Sequence, residues 1–301
     1  GDPQAHRITV STSISFTDRA GFSVSYLRPN IAGLFTAFLG AANAVRLAVG
    51  LLSALAAAAM LVPALLIRER DYIDSKPVRT RAFASLLKSF KNGQFRRFVY
   101  SDVIYFFAVT LFQTGLAFYI TRLMHADAGS TFLLTVVMTA VSLALYPAVN
   151  RLAPRFGKKR LIVVGFFAYA LVFLLAALCG EGLGWGYLIA VLAGVPMAIL
   201  GILPQAVVAD IAEADARQSG EERSGMFFAA RTFAMKMGQA LSLLVFTSVT
   251  VSGSERSYRL TAVIATVCCA AGALLFLLYN EKAIMAVIGK HEKENEEGDA
   301  L

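Results

Sequence analysis

The chain has 301 residues, 57% of them hydrophobic and 16% charged, with a net charge of +8. A soluble globular domain carries roughly 25% charged residues, so this deficit, with a mean hydropathy of +0.63, places the chain in the membrane class. The excess positive charge lies between long apolar runs rather than in one patch, which makes it a topology signal and argues against nucleic acid as a partner.

The first segment, 1–46, is polar to about residue 30 and apolar from 31 to 46, and reads as an external or interfacial stretch. It carries no signal peptide, and the chain reads as if its true N-terminus lies further upstream. About 20 apolar residues cross a bilayer, and seven runs qualify: 47–67, 98–121, 132–149, 161–179, 186–208, 226–251 and 260–280. The expected fold is therefore all-α, a polytopic membrane bundle of about seven transmembrane helices.

Between the first two runs, 68–97 holds nine basic residues, from Arg68 to Arg97. Within it Phe83, Leu86, Leu87 and Phe90 recur at helical spacing among Arg79, Arg81, Lys88 and Lys91, the pattern of a basic amphipathic helix on an anionic leaflet, which makes membrane lipid an expected partner. A second basic cluster, Arg151, Arg155, Lys158, Lys159 and Arg160 around Gly157, follows the third run. The opposite loops are poor in Lys and Arg. The positive-inside rule puts both basic loops, and the charged tail 281–301, in the cytoplasm of a multi-pass cell-membrane protein. The tail is expected to be disordered.

Polar residues inside the runs are the functional leads. Asp102, Tyr105 and Gln113 fall on one helical face of the second run. The fifth run carries Pro196 and Pro204 and ends near Asp210, so it is a candidate for a kinked or moving helix. The sixth has no acid but two cations, Arg231 about 8 Å and Lys236 about 15 Å from its start. A charge at the bilayer centre costs about 2.5–3.5 kcal/mol on insertion scales, so Lys236 needs a partner, a wet cavity or a ligand. Gln239 falls between the directions of Arg231 and Lys236 on the helical wheel. Asp102 and Arg231 lie at similar depths, and an ion pair between them near the cytoplasmic mouth is expected.

Catalytic chemistry finds no support. His6, His125 and His291 lie outside the runs, no HExxH, GxSxG, Walker A or CxxC pattern occurs, and Cys179, Cys268 and Cys269 lack metal-ligand spacing. Neither an enzyme, a metal site nor a cofactor is expected.

Three blocks carry a family resemblance. They are Ser101-Asp102 with Tyr105, Gln113-Thr114-Gly115 and Tyr119; Asn150-Arg151 with Pro154-Arg155 and Gly157-Lys158-Lys159-Arg160; and Pro204-Gln205 with Asp210, Gly225-Met226-Phe227-Phe228, Thr232-Phe233, Lys236 and Gly238-Gln239-Ala240. In this order and spacing the chain resembles the glycoside–pentoside–hexuronide:cation symporters, the melibiose-permease type of the major facilitator superfamily. That family has twelve helices in two six-helix halves around a central cavity. The resemblance makes 47–67 helix six and 98–280 the second six-helix half, with the N-terminal half missing. It implies alternating-access symport of a small polar solute, a sugar or glycoside, coupled to Na+ or H+. Lys236 would line the cavity with Gln239, Tyr105 and Gln113 as substrate-binding residues, while Asp102, Arg231 and Asp210 would form gating ion pairs. The coupling-cation site would lie mainly on the first half.

Two departures bear on the solute. Arg231 stands where many relatives carry an aromatic residue or glutamine, and the one tryptophan, Trp185, lies in an external loop. The family's relatives include lysolipid carriers, so an amphiphile is the alternative cargo. A half that packs but transports nothing on its own is the other alternative.

Overall fold

The computed structural model describes residues 88–127, 130–221 and 223–289, together with six helical positions between 47 and 57. The chain divides into two compact units, Gly1–Ser13 with Val78–Leu301, and Ile14–Pro77. Most of the first predicted span and most of the first basic loop lie outside the described residues.

Six helices among the described residues are long and apolar enough to cross a membrane. They are α1 (Gly93–Phe118, continued by a π-turn over Tyr119–Leu123), α2 (Ser130–Phe156), α3 (Lys158–Leu178), α4 (Leu183–Ser219), α5 (Ser224–Thr250) and α6 (Glu255–Phe276). Each matches one predicted apolar run, so the expected all-α polytopic bundle is the observed fold. The described residues contain no strand.

Local chemistry sets the ends. Asn92 caps α1, its Oδ1 accepting from the backbone N–H groups of Gln94 at 3.0 Å and Phe95 at 3.2 Å. Gly157 alone joins α2 to α3, at φ +83°, a conformation that side chains with a Cβ resist. α4 ends on Gly220 at φ +68°, the left-handed C-terminal stop. Its helix runs eleven residues past the predicted apolar run, and in that extension Arg217 reaches Glu213 one turn back at 2.5 Å. Pro196 and Pro204, which marked it as a candidate for a kinked or moving helix, sit inside α4 without interrupting it.

Helix α1 is the hub. It packs against α5 and α6; α3 packs against α6 and α4; and α2 packs on α4. Small residues allow the close crossings, as expected where lipid gives helices no hydrophobic drive to associate. A Cβ on Gly238 of α5 would come within 2.7 Å of the Val103 carbonyl oxygen of α1. On the other side of α1, Ser101 Oγ donates to the Gly272 carbonyl of α6 at 2.7 Å.

The tail departs from expectation. Residues 281–289 form a further short helix rather than a disordered start to the tail. Ile284 and Ile288, one turn apart, are buried against the bundle, and Arg217 donates to the Ile288 carbonyl. Charge dominates the composition of 281–301, but two isoleucines at i and i+4 are enough to dock one helical face.

Candidate transport site

The basic end of the bundle gathers the starts of α1, α3 and α5 and the ends of α2, α4 and α6. About one-third of the way along α1 and α5 lies the first buried charge pair. Arg231 of α5 donates from Nε to Asp102 Oδ2 at 2.8 Å and from Nη2 to Oδ1 at 3.3 Å. Both residues are buried. The guanidinium also lies 5.7 Å from the Phe98 ring centroid and 5.8 Å from that of Phe106. Phe98, Asp102 and Phe106 recur every four residues, so one stripe of α1 offers ring, carboxylate and ring to a single guanidinium. Two-point hydrogen bonding and cation–π contact hold the charge. The two rings were not singled out from sequence, although their spacing about Asp102 was visible there.

Lys236 stands apart from this pair. Five residues beyond Arg231, it projects about 140° around α5 from it, away from α1. Its side chain is exposed and makes no hydrogen bond or ion pair with any described residue. Gln239 is half-buried beside it. The same side of α5 exposes Phe233 and Met237, at 58% and 57%.

The α1 residues expected to share one site are separated. Tyr105 is buried and turned to α3, with its ring 5.4 Å from Phe166 and 6.0 Å from Tyr169. Because α1 is surrounded on several sides, residues three apart on one broad face meet different neighbours. Gln113 is half-buried and sits ten residues, about 15 Å, along α1 from Val103, whose carbonyl marks the Gly238 crossing. It is therefore not at the level of Lys236.

A second buried pair joins α3 to α4. Lys158 Nζ donates to Asp210 Oδ2 at 2.5 Å, with the side chains 2% and 1% exposed. This corrects the reading of Arg151, Arg155, Gly157, Lys158, Lys159 and Arg160 as one basic loop. Arg151 and Arg155 belong to the end of α2, Lys158 to Arg160 form the first turn of α3, and only Gly157 lies between. Lys158 is not a solvated loop cation, because it turns inward to neutralise Asp210. Arg151, Arg155 and Arg160 remain exposed.

Glu281, unremarked from sequence, completes this corner. Its carboxylate accepts from the backbone N–H groups of Lys158 at 2.8 Å and Lys159 at 3.0 Å, capping the N-terminus of α3 from the far end of the chain. Lys159 Nζ donates to the Leu277 carbonyl at 2.8 Å.

Six membrane-length helices that bury two charge pairs among the described residues define a polytopic helical membrane protein. A family model described as MFS/sugar transport protein matches residues 6–281, and the chain belongs to that family. Among curated proteins, none matches the chain. The protein is thus a multi-pass membrane transporter of the major facilitator type.

Proposed function

We propose that the protein is a secondary carrier that moves a small polar solute, a sugar or glycoside, by cation-coupled symport and alternating access. The observation that carries this reading is Lys236, an exposed cation without a described partner on a membrane-length helix. A neighbouring cation, Arg231, is fully neutralised by Asp102. The helix thus separates a charge used for structure from one left free for a ligand. Lys236 and Gln239 are the solute-binding residues, with Gln113 further along the same path and Tyr105 supporting α1 from behind. Asp102–Arg231 and Lys158–Asp210 are the pairs that hold the basic, cytoplasmic end, and the C-terminus is cytoplasmic. The open α5 face is completed by the N-terminal six-helix half that the family resemblance implies, which also carries the site for Na+ or H+.

A second cargo has a specific observation behind it. Phe233 and Met237 flank Lys236 with exposed apolar surface, and Trp185 lies at the start of α4, outside this face. That surface suits the chain of a lysolipid better than a sugar ring. The complete protein, with its N-terminal half, should be reconstituted and offered radiolabelled sugars and lysolipids with and without Na+ and H+ gradients. Saturable, gradient-driven sugar uptake supports the symport reading, gradient-driven lysolipid uptake replaces the cargo, and uptake of neither refutes both.

A further inference from the structure

At the corner where α2 turns into α3, a groove of about 820 Å³ opens between the α2–α3 junction, the end of α6 and the helix 281–289. This volume falls in the roughly 300–1,000 Å³ range of small-molecule sites. Four cations line it: Arg155, Lys159, Arg160 and Lys282. The one acid in its lining is Glu281, and both of its oxygens already accept from backbone N–H groups of α3. Lys159 is held by the Leu277 carbonyl, but Arg155, Arg160 and Lys282 are exposed and make no ion pair with a described residue.

The walls are of the opposite character. Phe156, Val164 and Leu277 line the groove and are 54%, 56% and 48% exposed. Phe156 and Leu277 lie at the level of the cations, and Val164 lies six residues, about 9 Å, along α3 from Lys158, deeper along the helix. The polar cleft between the start of α1 and the end of α4 contrasts with it. There Lys88 faces Glu221 at 3.6 Å and Arg223 faces Asp215 at 2.7 Å, so two of its four cations are matched by acids within the protein.

We propose that this groove is a binding site for an anionic phospholipid. The headgroup phosphate sits among Arg155, Arg160 and Lys282, and an acyl chain lies along Phe156, Val164 and Leu277. A soluble anion would use the cations but leave the apolar walls bare, and a neutral lipid would use the walls but leave three cations unmatched. Basic pockets between membrane helices are suited to such headgroups. This inference is independent of the cargo.

The test is lipid binding to the full chain in detergent, followed by native mass spectrometry, with phosphatidylglycerol and phosphatidylcholine of identical acyl chains. Each interfacial cation contributes about five-fold in affinity. Phosphatidylglycerol should therefore bind at one saturable position at least ten-fold more tightly than phosphatidylcholine. Arg160→Gln and Lys282→Gln should each weaken it about five-fold, with phosphatidylcholine binding unchanged. Equal affinity of the wild-type protein for the two lipids overturns the proposal whatever the variants do. So does undiminished phosphatidylglycerol binding in a folded Arg155→Gln/Arg160→Gln/Lys282→Gln variant, or displacement of the lipid by equimolar inorganic phosphate.

Discussion

Arg231 of α5 and Asp102 of α1 meet in a two-point ion pair, 2.8 Å from Nε to Oδ2, with the Phe98 and Phe106 ring centroids 5.7 Å and 5.8 Å from the guanidinium. Removing one partner leaves the other charge buried and unmatched, which costs about 3–5 kcal/mol, whereas replacing both by apolar residues of similar volume is often neutral. Arg231→Ala and Asp102→Ala should each lower the unfolding temperature in detergent markedly, and Asp102→Leu/Arg231→Met should recover most of the loss. Strictly additive effects in the corresponding double-mutant cycle would mean that the pair does not couple.

The α1–α5 crossing makes a separate prediction. A methyl group at Gly238 would meet backbone, the Val103 carbonyl oxygen at 2.7 Å, while one at Gly225 on the same helix meets nothing within 4 Å. Gly238→Ala should destabilise by about 1–3 kcal/mol through overpacking. Gly225→Ala should be neutral or stabilise by up to roughly 1 kcal/mol through helix propensity. Thermal unfolding of the two variants side by side checks this, and equal behaviour would show that the crossing is looser than described.

Glu281 ties the chain end to the start of α3. Glu281→Ala removes two charge-assisted acceptors from Lys158 and Lys159 N–H, and a lost cap costs about 0.5–2 kcal/mol. Hydrogen exchange should quicken in the first turn of α3 and in 281–289, with the middle of α3 unaffected. Unchanged exchange at both places would remove Glu281 from its capping role.

Much of this architecture is legible in the amino-acid sequence because the bilayer imposes a length and a polarity on each span. The runs at 98–121, 132–149, 161–179, 186–208, 226–251 and 260–280 all become helices. The buried depth shared by Asp102 and Arg231 also follows from counting residues. Direction around a helix is harder to read. Tyr105 shares a face with Asp102 on the wheel yet packs on α3, because which neighbour occupies which side of α1 is a tertiary fact. Lys158 looks like any member of its basic cluster, and its inward turn depends on Asp210, 52 residues away in sequence. Glu281 lies at the head of a charged tail, and its capping role depends on the fold bringing the start of α3 beside it. Lys236 was conspicuous for the opposite reason, since a cation in an acid-free apolar run is unusual whatever surrounds it.

In the proposed carrier, Lys236 serves the solute rather than the fold. Because its side chain is exposed and has no described partner, Lys236→Ala should leave the protein in the membrane and its unfolding free energy within about 0.5 kcal/mol of wild type. This role is tested most directly by gradient-driven uptake with the complete protein, N-terminal half included, carrying Lys236→Ala or Lys236→Arg and reconstituted at matched density. The account predicts at least a ten-fold loss for Lys236→Ala with partial retention by Lys236→Arg; full coupled uptake by Lys236→Ala would contradict it.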